Sequence, residues 1–179
     1  MCCDTTSVSL QITDSVAGSG SLRVLPSGQP LLGEWQPPGD LALAQRALVL
    51  GDLASGQTQI KGAPECAETV AMRRVLAHLG VRYNVESEGG LGIMLEDSRL
   101  RAPEVELDCG ASLTTLRLMA GLLAGQRFTA VLTSDANRLW PCFDALAGYL
   151  RTMGATVECL GGAGRPPLKI TGRTLNPLR

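Results

Sequence analysis

The run Asp108-Cys109-Gly110-Ala111-Ser112-Leu113-Thr114-Thr115-Leu116-Arg117 gathers hydroxyls, a carboxylate, a thiol and a guanidinium around one expected turn. Small residues at 109–112 suit a tight turn, and Ser112 suits a helix N-cap. The apolar residues that follow suit a buried helix stopped near Gly125. The first amides of a helix have no internal partner and carry the positive end of its dipole, so this turn suits an anion. Ser112, Thr114 and Thr115 add hydroxyls there, and Arg117 adds a fixed charge one turn in. A guanidinium in a buried helix needs a partner, and a ligand phosphate or the Asp108 carboxylate would each serve. Of the two, the structural pairing with Asp108 is expected. Cys109 reads as a small core residue, although a helix N-terminus can also lower a thiol pKa.

Composition limits what else the chain can be. Its 179 residues fit one domain or two small ones. Hydrophobic residues are 45%, charged residues 18% and aromatics 3%, so the core must be aliphatic. The net charge of −1 gives no basic excess for nucleic acid. The cysteines at 2, 3, 66, 109, 142 and 159 form no Cys-x-x-Cys pair, and His78 is the only histidine. A metal site is therefore not expected, nor any organic cofactor. No segment has signal-peptide order and no apolar run reaches about 18 residues, which points to a cytoplasmic protein with free thiols and no membrane partner. His78, near a helix end, reads as a solvated residue.

Organisation along the chain is repetitive. Residues 1–38 form an N-terminal segment with linker-like stretches and short strand candidates at Ser7–Ile12, Leu22–Leu25 and Leu32–Trp35. Residues 39–179 read as two versions of one unit, 39–104 and 105–179. The first has helices at Leu41–Ala54 and Glu65–Leu79, with strands at Thr58–Lys61, Arg82–Glu86 and Gly92–Glu96. The second has the helix after Ala111 and another from Pro141 to Gly154, with strands at Phe128–Leu132, Thr156–Leu160 and Pro167–Thr171. Leu53-Ala54-Ser55-Gly56-Gln57 answers Leu122-Leu123-Ala124-Gly125-Gln126. The first helix of each unit is apolar nearly all round and is expected to be buried; the second is amphipathic.

These blocks carry a family resemblance. Residues 108–117 resemble the Asp-Cys-Gly-Asn-Ser-Gly-Thr-Thr-Met-Arg motif of 5-enolpyruvylshikimate-3-phosphate (EPSP) synthases. Leu32–Asp40, Arg46–Gly56, Ala120–Gln126, Val131–Thr133 and Pro166–Gly172 resemble further blocks in the same order. The resemblance implies an α+β fold of βαβαββ units with helices inside and mixed sheets outside. It implies that this chain holds the opening strand and two such units, without the third unit or the second domain.

The resemblance also assigns positions. Arg46, Gly110, Ser112, Thr114, Thr115 and Arg117 match residues beside the family's anionic substrates. Five positions depart: Leu41 and Ala42 stand for Lys and Ser, Ala111 for Asn, Leu113 for Gly, and Trp140 for Arg. Leu and Ala offer neither cation nor hydrogen bond, and the Leu113 side chain should enter space that Gly leaves open. The expectation is a degenerate, truncated enolpyruvyl-transferase homologue, inactive alone, acting as a binding or assembly module. Two readings stand beside it: the first part of a split 3-phosphoshikimate 1-carboxyvinyltransferase completed by another chain, and a binder of a phosphorylated or carboxylate small molecule. With two units, one side of the inner helices would face water, so a homodimer or a complementing chain is expected to cover it.

Overall fold

The computed structural model describes residues 10–13, 21–24, 33–34, 37–86, 91–95, 100–135, 143–162 and 164–177. The chain divides into two compact units, Met1–Pro37 and Pro38–Arg179. In the first, β1 (Leu10–Thr13) pairs antiparallel with β2 (Ser21–Val24), Leu10 opposite Val24. Gly33 and Glu34, the described part of the third strand candidate, are not in a strand. Glycine is a poor strand former because it has no side chain to pack and more backbone entropy to lose.

The second unit contains the repeat. Its first half runs α1 (Leu41–Leu53), β3 (Thr58–Ala63), α2 (Ala67–His78), β4 (Tyr83–Glu86) and β5 (Leu91–Leu95). Its second half runs β6 (Leu107–Asp108), α3 (Leu113–Ala124), β7 (Thr129–Thr133), α4 (Asp144–Thr152), β8 (Thr156–Cys159) and β9 (Leu168–Thr171). The sheets have orders β3-β5-β4 and β6-β7-β9-β8. In each, the last strand of the half inserts antiparallel between the two strands that precede it in the chain, so β5 corresponds to β9. The leading strand β6 pairs parallel with β7; no equivalent exists among the described residues of the first half. Gly80 (φ +94°) and Gly154 (φ +111°) follow α2 and α4 at matching places, in a conformation that Cβ-bearing residues avoid. The expected start of α4 at Pro141 lies outside the described residues.

Local chemistry explains the helix boundaries. Asp40 caps α1 by accepting from Leu43 N at 2.7 Å, and Ser112 caps α3 by accepting from Thr115 N at 3.1 Å. Both helices pack on their own sheet and against each other, and α2 covers part of both. One core joins the halves, with Leu48, Met72, Leu76, Leu116, Met119, Leu123, Leu132 and Leu168 almost fully buried.

All-round burial of the inner helices is not observed. Leu43, Leu50 and Leu53 of α1 are 68%, 65% and 56% exposed. On α3, Arg117 and Gly121 are also exposed. A sheet and a neighbouring helix cover only part of a helical cylinder, and nothing among the described residues of this unit covers the rest. The matching sheet orders carry the repeat independently of that burial.

Candidate functional site

Two helix starts meet around a small polar clasp. Gln45, one turn into α1, is 1% exposed and donates from Nε2 to Thr115 Oγ1 (2.9 Å) and Ser112 Oγ (3.3 Å). Thr115 Oγ1 in turn donates to Ser112 Oγ at 2.9 Å. Ser112 and Thr115 are 6% and 0% exposed, so these hydroxyls serve each other, the helix cap and Gln45. Gln45 was missed in the sequence. Its signal was present all the same, as an amide in step with Leu48, Val49 and Asp52 on the buried face of α1.

The turn before α3 is held from several sides. Gly110 adopts φ +57°, which glycine tolerates, and its amide donates to Asp108 Oδ1 at 2.8 Å. Its carbonyl accepts from Asp135 N (3.0 Å) and Ser134 Oγ (2.7 Å). Asp108 forms an ion pair with Arg74 Nη2 at 2.5 Å, with both side chains about half exposed. The expected Arg117–Asp108 pairing is therefore corrected. Arg117 is exposed and needs no protein partner, while Arg74 reaches Asp108 from α2. No spacing rule in the sequence could link residues 74 and 108, because tertiary packing alone brings them together.

Cys109 is fully buried, and burial above all pushes its thiol up to about 12, with the Asp108 carboxylate adding to the rise and Arg74 opposing it. Desolvation outweighs the nearby helix start, so Cys109 is an inert core thiol at neutral pH. His78 is exposed in the last turn of α2, as expected.

The remaining expected positions are dispersed in environment. Arg46 is exposed and donates to the Ala42 carbonyl at 2.8 Å. Leu41, Leu113 and Thr114 are half-buried, Ala42 and Ala111 exposed, and Leu113 packs on the core. Trp140 lies outside the described residues. A cavity of about 400 Å³ borders the turn, lined by Glu68, Arg74, Asp108, Gly110, Ser112 and Asp135 among others. Three carboxylates against one already paired guanidinium make it unfavourable for phosphate. Arg46 and Arg117 do not line it. Among the described residues, no group of His, Cys, Asp and Glu could hold a metal ion, and no helix is long and apolar enough to cross a membrane.

Paired inner helices, each starting at a capped turn and backed by a sheet of the same strand order, define an α+β repeat protein of the enolpyruvyl-transferase type. The chain belongs to the EPSP synthase family. The family model for EPSP synthase (3-phosphoshikimate 1-carboxyvinyltransferase) matches residues 25–179. The 3-phosphoshikimate 1-carboxyvinyltransferase of Acidithiobacillus ferrooxidans is 40% identical over 150 residues, 83% of this chain and 34% of that protein. That of Syntrophotalea carbinolica is 36% identical over 154 residues, 86% of this chain and 36% of that protein. A solved EPSP synthase from Acinetobacter baumannii superposes with a TM-score of 0.75 at 31% identity, covering 82% of this chain and 33% of that one. The chain spans about a third of the length of these relatives.

Proposed function

We propose that this chain does not transfer enolpyruvate on its own and acts as a binding or assembly module built on the EPSP synthase fold. The observation that carries the reading is the state of the two helix starts. Leu41, Ala42 and Leu113 offer no charge or hydrogen bond, and the Ser112 and Thr115 hydroxyls are engaged with Gln45. Transfer from phosphoenolpyruvate joins two anionic substrates, so it demands cations and donors aimed at charge that develops in the transition state. The cavity beside the turn adds carboxylates instead. Cys66 and Cys109 form no disulfide, which fits a cytoplasmic setting as part of the same proposal.

One observation favours a second reading, the first part of a split transferase completed by another chain. Arg46 and Arg117 are both exposed and available to an anion held partly by a partner. Either reading leaves the bare face of α1 to be covered, by a second copy or by a complementing chain.

The test is phosphate release by the purified chain supplied with phosphoenolpyruvate and shikimate 3-phosphate. No release above background is expected. Sustained release that requires both substrates would overturn the proposal. A rise in melting temperature with shikimate 3-phosphate alone, at unchanged zero turnover, would instead favour the split-transferase reading.

A further inference from the structure

The outer helix α2 starts without a side-chain cap. Cys66 holds its N-cap position with extended backbone (φ −139°, ψ 168°), yet the side chain accepts from none of the first amides of the helix. A thiol sulfur accepts only weakly, whereas Asp40 and Ser112 cap α1 and α3 through oxygen. The Cys66 sulfur lies 3.2 Å from Oγ1 of Thr69, in the first turn. Cys66 is only half-buried, so a small reagent can reach it.

A donor without an acceptor is aimed at the same helix start. Arg73 is 7% exposed and shares a face of α2 with Cys66 and Thr69, at intervals of three and four residues. Helical side chains lean toward the N-terminus, and Arg73 follows that direction. Its Nη2 meets Oε1 of Glu65, the neighbour of Cys66, at 2.6 Å, and the Tyr83 ring centroid lies 5.9 Å from its guanidinium carbon. Nε is buried and has no hydrogen-bond partner among the described residues. Leaving such a donor unpaired is costly, so both the uncapped amides and Nε call for anionic oxygen at the Cys66 sulfur.

We propose that Cys66 is a site of oxidation to the sulfinate, whose two oxygens cap α2 and accept from Arg73. The oxidant is hydrogen peroxide. Each of two peroxide molecules gives one oxygen to the sulfur and leaves as water, through the sulfenic acid, so the sulfur loses four electrons and the peroxides gain them. The sulfinic acid then releases its proton to solvent. A sulfinate has the shape and charge of an aspartate side chain, and that charge sits at the positive end of the helix. Glu65 and Glu68 add like charge nearby, which the Arg73 guanidinium offsets. This inference stands apart from the question of enolpyruvyl transfer.

The test exposes the folded chain to dilute hydrogen peroxide, blocks remaining thiols and reads the digest by mass spectrometry. The tryptic peptide 62–73 also holds Met72, so fragmentation assigns the oxygens. A gain of about 32 Da on Cys66 that survives dithiothreitol is expected, with Cys109 unmodified because it is fully buried. The melting temperature should rise by about 2–4 °C on oxidation, as for a gained helix cap. Cys66→Asp should show that rise without peroxide, and Cys66→Ala should show none with it. In Arg73→Leu the rise on oxidation should fall by at least half. A Cys66 that stays unmodified or is restored by dithiothreitol would overturn the proposal. So would oxidation that leaves the melting temperature unchanged or lowers it, or an undiminished rise in Arg73→Leu. If Arg73→Leu fails to fold, Cys66→Asp decides alone, and no gain in its melting temperature refutes the cap.

Discussion

Replacing Gln45 separates the polar clasp from simple packing. Gln45→Ala removes donors to Thr115 Oγ1 at 2.9 Å and Ser112 Oγ at 3.3 Å from a side chain that is 1% exposed. One good and one long hydrogen bond contribute about 1.5 kcal/mol together. Loss of the packed side chain adds about 1 kcal/mol. The expected destabilisation is therefore about 2–3 kcal/mol. Gln45→Leu keeps most of the volume and leaves Thr115 Oγ1 donating to Ser112 Oγ, so it should cost only about 1 kcal/mol. Urea unfolding followed by circular dichroism measures both. For a chain of this size each kcal/mol should move the melting temperature by about 2–4 °C. A double-mutant cycle of Gln45→Leu with Ser112→Ala should show a coupling of about 0.5 kcal/mol or more. A Gln45→Ala variant within about 0.5 kcal/mol of the parent, or additive double mutants, would refute the clasp.

Cys109 sets a pH dependence. Its pKa rises on folding from 9.0 to about 12, so above pH 9 the unfolded chain loses a proton that the native chain keeps. Stability should be unaffected by this group below pH 9 and fall by up to about 1.4 kcal/mol per pH unit between 9 and 12. Melting curves at pH 8 and 10 should show a smaller loss for Cys109→Ala than for the parent. Two glycines give opposite outcomes. A Cβ on Gly121, within α3, meets nothing within 4 Å, so Gly121→Ala should stabilise by about 0.5–1 kcal/mol. A Cβ on Gly172 falls 2.1 Å from Leu123 O and 2.3 Å from Gln126 O, so Gly172→Ala should cost about 3 kcal/mol or more in denaturant unfolding.

The halves of the repeat and most elements were legible because they are local. Asp40 and Ser112 are cap residues in the right place, and Gly80 and Gly154 stop helices by backbone freedom alone. Among the described residues, strand and helix limits differ from the expected ones by no more than two residues, since ladders and packing decide where an end frays. The candidate site was legible only in part. Ser112, Thr114, Thr115 and Arg117 stand out by type and spacing, yet the amide that engages Ser112 and Thr115 comes from elsewhere in the chain. Gln45 reaches Ser112 across 67 positions, and Arg74 reaches Asp108 across 34. An all-apolar helix likewise reports that burial would be favourable, not which side receives it.

What the sequence determined by itself was the repeat, its α+β character and the apolar side chains at positions 41, 42 and 113. These follow from periodicity, capping and side-chain identity, which act within a few residues. The tertiary structure alone decided that Arg117 faces water while Arg74 holds Asp108, that Ser112 and Thr115 are closed by Gln45, and that α1 presents Leu43, Leu50 and Leu53 to solvent. Each of those depends on which surfaces two distant segments bring together, and a one-dimensional pattern carries no record of that geometry.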